Sequence, residues 1–138
     1  MPERTLILIK PDAVRRGLIG QITARFEQKG LRIAGMKMLH FDDTLVARHY
    51  AEHVEKEFFP SLKAFIMSGP VVALAVEGQD VVKMTRMMMG ATRHTEAAPG
   101  TIRGDFANTT TENLVHGSDS NERAQVELGF FFEEKELF

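Results

Sequence analysis

The residues of this chain best placed to do chemistry stand in one octapeptide, Asn113-Leu114-Val115-His116-Gly117-Ser118-Asp119-Ser120, where a short apolar run delivers a histidine into a polar turn. Asn113 to His116 reads as the end of a buried strand, and Gly117 then lets the backbone turn sharply without Cβ clashes. His116 is therefore expected where a strand stops and a helix starts. Asp119 or Ser120 caps that helix, and Glu122 completes a capping-box-like pair with Asp119. An imidazole at such a junction can expose one ring nitrogen while a carboxylate fixes the other, and Glu127, about two helical turns further on, is the nearest candidate. The other reading is a satisfied histidine at a strand end, and spacing alone does not choose between them.

Three of the seventeen basic residues, Lys10, Arg86 and Arg103, are candidates to meet an anion. Lys10 closes the apolar run Leu6-Ile7-Leu8-Ile9 and is kept extended by Pro11, so its ammonium projects from the end of a buried strand, a position suited to a phosphate or to an ordinary surface lysine. Arg86 lies on a helix, where the usual fate of an arginine is a weak surface ion pair. Arg103 falls in the stretch between Gly90 and Asn113, which has no periodicity. A structureless stretch of that length argues for a functional loop or an oligomer contact, and its arginines and threonines suit an anion.

The elements that must position these groups follow from the apolar pattern. Leu6 to Ile9 and Val71 to Val76 are apolar on both alternating faces, as strands covered on both sides are. A turn after Pro11-Asp12 leads to a helix from about Gly20 to Lys29, with Ile19, Ile22 and Phe26 inward and Gly30 as its stop. Ile33 to His40 alternates, so Ala34, Met36 and Met38 are expected on its core face. Asp42-Asp43-Thr44 starts a helix with Leu45, Val46, Tyr50 and His53 inward. His49 and His53 stand at i, i+4, a metal-binding spacing that no third ligand accompanies.

Phe58-Phe59-Pro60 interrupts that pattern, and an aromatic pair in a loop either plugs the core or offers a ring to a flat ligand. Ser61 then caps a short helix carrying Leu62, Phe65 and Ile66. Asp80 opens another, with Val81, Val82, Met84, Met87 and Met88 as its apolar face and Gly90 at its end. A helix over about Ser120 to Leu128 precedes the apolar segment Phe130 to Phe132, an acidic solvated end, and Leu137 and Phe138 set to dock on a neighbour. Taken core element by core element the order is βαββαβ, the ferredoxin-like α+β unit with a four-stranded antiparallel sheet, in a single domain over residues 1–138.

Seventeen basic against nineteen acidic residues leave a formal charge of -2 with no basic stripe, so neither nucleic acid nor an anionic membrane is the expected partner. The absence of cysteine excludes disulfides and thiol catalysis. The longest apolar run is far short of a membrane span, and Met1-Pro2-Glu3-Arg4 leads straight into a strand, which reads as a soluble cytoplasmic protein.

Asn-x-x-His-Gly-Ser-Asp-Ser at 113–120 resembles the active-site signature of nucleoside diphosphate kinases. Thr5 to Asp12, Phe58 to Pro60, Ser68 to Val72 and Pro99 to Asp105 are similar to blocks of the same family in the same order, so the resemblance covers essentially the whole chain. Neither a G-x-x-x-x-G-K-[ST] loop nor a G-x-G-x-x-G turn is present, which excludes the ordinary kinase designs and leaves one histidine with Lys10, Arg86 and Arg103. A neutral imidazole can attack phosphorus covalently while cations neutralise the phosphoryl oxygens, and activity should fall as the ring becomes protonated in acid.

The resemblance implies the same α+β sandwich and assigns roles to individual residues. His116 would take the γ-phosphoryl of a nucleoside triphosphate and pass it to a second nucleoside diphosphate, a ping-pong transfer. Lys10, Arg86, Thr92 and Arg103 would contact phosphates, Asn113 with Lys10 the ribose hydroxyls, and Phe58, with Leu62 among the same substrate-binding positions, the base. Tyr50 and Glu127 would support the histidine, with Ser118 in the adjoining hydrogen-bond network. Magnesium would arrive on the nucleotide phosphates without direct protein ligands, and stacking on one ring would tolerate any base. A homo-oligomer is implied, a hexamer built from dimers favoured over a tetramer. Two departures stand out: Thr92-Arg93-His94 where the family most often has Thr-Asn-Pro, and Thr110 where a bulkier apolar residue is common, with His94 itself read as solvated. The competing reading is a nucleotide-binding regulatory module on the same scaffold, although such members usually lose the histidine or a phosphate ligand.

Overall fold

The apolar run that starts the chain becomes β1 (Glu3–Ile9), an inner strand of the sheet, in a computed structural model that describes residues 3–138. Met1 and Pro2, read from sequence as the lead into this strand, lie outside the described residues. The chain continues through α1 (Pro11–Arg15), α2 (Ile19–Gln28), β2 (Arg32–Leu39), α3 (Asp43–His49), a 3-10 turn at Ala51–His53 and α4 (Phe59–Ile66). Then come β3 (Val71–Gly78), α5 (Val81–Met89), α6 (Ile102–Phe106), β4 (Val115–Gly117), α7 (Asn121–Phe131) and a 3-10 turn at Glu134–Glu136. The strands lie in the order β2-β3-β1-β4 and every pairing is antiparallel, the ferredoxin-like α+β arrangement expected from the element order.

Both faces of this sheet are covered, which is why β1 and β3 lack the polar alternation of a half-exposed strand. Ile7, Ile9, Val72, Leu74 and Val76 pack with Ile22 and Phe26 of α2, Val81 and Met89 of α5 and Ile102 of α6. Leu6, Leu8, Val71, Ala73 and Ala75 pack on the opposite face with Val46 of α3, Ile66 of α4, and Leu128 and Phe131 of α7. Burying each of the valine, leucine, isoleucine, phenylalanine and methionine side chains among them contributes about 1.5–3 kcal/mol.

Several expectations fail for local reasons. A bulge between Ile33 and Gly35 shifts the register against β3, so Met36 and Met38 are 52% and 57% exposed instead of filling the core. The expected turn after Pro11 is the helix α1, which proline starts readily because its missing N–H is not needed there. Proline acts likewise in α4, which begins at Phe59 and packs the half-buried Phe59 against the core, whereas Ser61 lies inside the helix. On α5 the expected Val81, Val82, Met84 and Met88 do pack inward, joined by Thr85 and Met89, but Met87 points outward at 67% exposure. Phe130 and Phe131 extend α7, and Leu137 packs against its own chain beside Gly35. The stretch after Gly90 is not structureless: Thr101 caps α6 by accepting from Gly104 N at 2.9 Å.

Candidate active site

Strand register aims His116. In β4 it lies opposite Leu8 of β1 and so shares Leu8's face of the sheet, under α3 and α7. Gly117 does not turn the chain, as its position suggested, but pairs with Ile7 inside the strand. A Cβ there would strike Met89 Cε and stand 3.2 Å from Ile7 Cδ1. Ser120, and not Asp119, caps α7 by accepting from Arg123 N at 3.0 Å, which points Glu127 back at the strand.

The residue before the strand is held in an uncommon conformation. Leu114 is fully buried with φ 78°, in the left-handed region, which costs a non-glycine residue about 1–2 kcal/mol. Its backbone is gripped from two sides: Lys10 N donates to Leu114 O at 2.8 Å, and Leu114 N donates to the carboxylate of Asp12 at 3.1 Å. Asp12 on α1 thus fixes the direction in which Asn113 and His116 leave this residue.

One carboxylate sits behind the histidine. Glu127 Oε1 accepts from the Ser118 hydroxyl at 2.5 Å, while Oε2 is approached by His116 Nε2 at 3.5 Å, His49 Nδ1 at 3.7 Å and Arg123 Nε at 3.3 Å. The His116 contact is an ion-pair distance, longer than a hydrogen bond. His116 Nε2 is buried without a hydrogen bond, and the ring is 30% exposed, so Nδ1 is the nitrogen left to the cavity. Burial alone would raise the Glu127 carboxyl, but contact with His116 and the hydrogen bond from the Ser118 hydroxyl outweigh it, the nearby His49 ring adding least, and hold the group down to about 2. His49 is pushed down to about 3 by burial and by His116, against the pull of Glu127, and is a neutral ring at ordinary pH.

The cavity in front of His116 holds about 750 Å³ and is lined by Lys10, Arg86, Thr92, Arg103, Asn113, Tyr50 and Leu62 among others. Lys10 Nζ donates to Asn113 Oδ1 at 2.6 Å, and Asn113 Nδ2 donates to Thr92 O at 3.1 Å. Burial lowers the Lys10 ammonium to about 8, Asp12 opposing and Arg103 adding to the fall. Arg103 is buried and donates to the carbonyls of Asn113, Gly90 and Val115 at 3.2, 2.9 and 2.7 Å, which fixes its position beside the cavity. Arg86 lines the same cavity rather than forming a surface ion pair.

Other sequence candidates fall differently. Phe58 is 51% exposed and stands outside the cavity lining, its ring 5.3 Å from that of His53, which does line it. Tyr50 meets His49 edge-on at 4.6 Å and so supports His116 through a second ring. His49 and His53 do not form a metal pair. Instead His49 stands 4.8 Å from His116, ring to ring, and the ligand atoms of His49, His116 and Glu127 lie within 4.8 Å of one another. The Arg123 guanidinium on the same Glu127 oxygen opposes a cation in that cluster. His94 is not simply solvated: its Nδ1 lies 2.8 Å from Thr110 Oγ1, so the two departures from the family pattern meet each other. Sequence reasoning missed Asp12, His49 and Arg123 as site residues. Only Arg123 left a signal, its i, i+4 spacing to Glu127 on α7.

Lys10, Arg86 and Arg103 form no ion pair among the described residues, so their charge is available to an anion with several oxygens. An accessible ring nitrogen among such cations suits transfer of a phosphoryl group as well as its binding, and the fold and site together define a phosphotransferase on a ferredoxin-like scaffold. The nucleoside diphosphate kinase family profile matches residues 3–137. Nucleoside diphosphate kinases of Exiguobacterium sibiricum and Thermus thermophilus are each 58% identical over 135 residues, covering 98% of this chain and 98% of theirs. A halophilic nucleoside diphosphate kinase from Halobacterium salinarum, solved in complex with CDP, superposes with a TM-score of 0.96 at 48% identity, over 100% of this chain and 92% of that one. The nucleoside diphosphate kinase of Aquifex aeolicus does so with a TM-score of 0.95 at 42% identity, over 100% of both chains. The chain belongs to the nucleoside diphosphate kinase family and is an enzyme of that activity.

Proposed function

We propose that the enzyme moves the γ-phosphoryl of a nucleoside triphosphate to a nucleoside diphosphate by a ping-pong route through a phosphohistidine on His116. The observation that carries this reading is the division of the ring: Nε2 is buried against Glu127, and the other nitrogen opens on the cationic cavity. In the first half-reaction the Nδ1 lone pair forms a bond to the γ-phosphorus as the bond from phosphorus to the β,γ-bridging oxygen breaks, and the diphosphate leaves with that electron pair. In the second, a terminal β-phosphate oxygen of the acceptor attacks phosphorus, and the N–P electron pair returns to the ring. Lys10, Arg86 and Arg103 neutralise charge on the phosphoryl oxygens, and Asn113, tied to Lys10, meets the ribose.

Phe58 offers an exposed ring face to the base, a contact every base can make, which supports broad base tolerance. Magnesium comes with the nucleotide as part of the substrate and adds positive charge to its phosphates. Asp119, at the cavity wall, is a hard-oxygen donor of the kind that magnesium or its waters accept, so the residues present fit it. A homo-oligomer goes with this reading, since β2 is an edge strand that leaves Met36 and Met38 uncovered. Among the described residues no helix is long and apolar enough to cross a membrane.

Initial rates with ATP and GDP test the proposal. Parallel double-reciprocal lines, lost together with all turnover in His116→Ala, are expected. Intersecting lines would mean direct transfer in a ternary complex, and nucleotide binding without turnover would make the chain a binding module.

A further inference from the structure

Arg123 is the one cation of the cavity that the reaction as described does not use. Its Nη2 donates to His49 O at 3.0 Å, and its Nε lies 3.3 Å from Glu127 Oε2, the oxygen that also faces His116. The guanidinium therefore ties the end of α3 to α7 directly behind the histidine.

That oxygen poses a problem for a nucleophilic imidazole. A buried carboxylate with no other counter-charge gains most from a cationic neighbour, and a second proton on His116, taken up at Nδ1, would remove the attacking lone pair. His49 cannot take that role because its ring is buried and neutral. Ser118 supplies a neutral hydroxyl, and only to the other oxygen. Arg123 alone brings a permanent charge into contact with Glu127 among the described residues.

Resting on the phosphohistidine reading, we propose that Arg123 is a positioning residue for phosphoryl transfer: it satisfies the charge of Glu127, so that the carboxylate orients His116 without drawing a proton onto its ring. The distances to their shared oxygen place the guanidinium nitrogen within about 7 Å of His116 Nε2, close enough for its charge to be felt through a partly exposed site. The groups facing the histidine and its carboxylate are His49 on α3, Arg123 on α7, and Ser118 and Asp119 on the turn between β4 and α7. Across the cavity stand Lys10, Arg86 and Arg103, with Glu52 and His53 on the 3-10 turn. None of these others reaches Glu127 Oε2 as a charged donor.

The test is the rate of phosphoenzyme formation from γ-labelled ATP between pH 5 and 8 in the wild type, Arg123→Gln and Arg123→Lys. Removing the charge is expected to move the midpoint of the acid limb up by about 0.5–1 pH unit, a size set by one charge at this distance in a partly solvated site. Arg123→Lys should leave the limb near its wild-type position while lowering the rate, since one ammonium cannot reach both partners. Arg123→Met, which keeps an apolar stem and loses the guanidinium whose carbon lies 5.8 Å from the Phe130 ring centre, is a second charge-removing variant if the glutamine variant folds poorly. An acid limb that coincides with wild type in both charge-removing variants, with the rate lowered equally at every pH, overturns the proposal and leaves Arg123 a structural tie. If the wild type itself takes no label on His116, the phosphohistidine reading fails first and the role of Arg123 with it.

Discussion

His49 should make this enzyme acid-sensitive, and replacing it with phenylalanine should remove much of that sensitivity. The residue is 3% exposed, its ring among Phe41, Tyr50, His116 and Phe131, and neither ring nitrogen has a hydrogen-bond partner among the described residues. The folded chain holds it down to about 3 from an ordinary 6.5, burial being the largest cause. A group whose folded value is depressed contributes stability that is full above the unfolded value and is lost as pH falls toward the folded one, here from about 6.5 to about 3. At pH 4 the unfolded histidine is protonated and the folded one is not, so wild type should have lost roughly 3 kcal/mol through this residue, against almost nothing at pH 8.

Phenylalanine carries no proton and leaves no buried polar atom, so the difference in unfolding free energy between His49→Phe and wild type should move in favour of the variant by roughly 3 kcal/mol between pH 8 and pH 4. Urea titrations at pH 8, 6, 5 and 4, at one protein concentration, measure it. Stability curves that run parallel over that range would refute the argument, because they would mean that His49 takes up a proton in the folded protein as easily as in the unfolded one.

Lys10, lowered to about 8, should lose charge as pH rises through that value, so kcat/KM should fall on an alkaline limb near pH 8. Lys10→Arg should flatten the limb up to pH 10 although its absolute rate is lower, and an unchanged limb would assign it to another group. Gly117→Ala forces a methyl onto Met89 Cε, with Sδ at 3.1 Å, and should cost about 1–3 kcal/mol of stability. In a Met89→Ala background that cost should shrink, and an equal cost in both backgrounds in a double-mutant cycle would show that the clash lies elsewhere. Asp12→Ala strips the buried Leu114 N–H of its acceptor and should cost about 1–3 kcal/mol, with slower labelling of His116. Thermal unfolding and single-turnover labelling read the two effects, and unchanged values for both would mean that Leu114 is held in place without Asp12.

The two central strands were legible because Leu6 to Ile9 and Val71 to Val76 carry apolar side chains on both faces, which little besides a doubly covered strand accommodates. His116 and Glu127 were legible as a candidate pair because a strand end followed by a capped helix brings them near each other, although spacing alone did not decide the role of the histidine. What escaped depends on contacts across the sheet. The bulge at Ile33 to Gly35 inverts the alternation of β2, and alternation was the only evidence for Met36 and Met38 as core. The short helix α6 lacks the length to show a period, and its Gly104 reads as a loop residue although a Cβ there would collide with the Ala98 carbonyl. His49 looked like half of a metal pair with His53 because helical spacing is visible in a sequence, whereas its meeting with β4 and α7 is not.

The most direct measurement of the central claim is the site and reversibility of phosphorylation: wild type and His116→Ala are mixed with magnesium and γ-labelled ATP without acceptor, the label is mapped by acid and alkali stability and by peptide mass, and GDP is then added. An acid-labile, alkali-stable label on the peptide containing His116, absent from the variant and transferred to GDP, is the expected result. A wild type that takes no label while still turning over ATP and GDP, or a variant that labels equally, would contradict the account, because the exposed nitrogen of His116 would then not be the nucleophile.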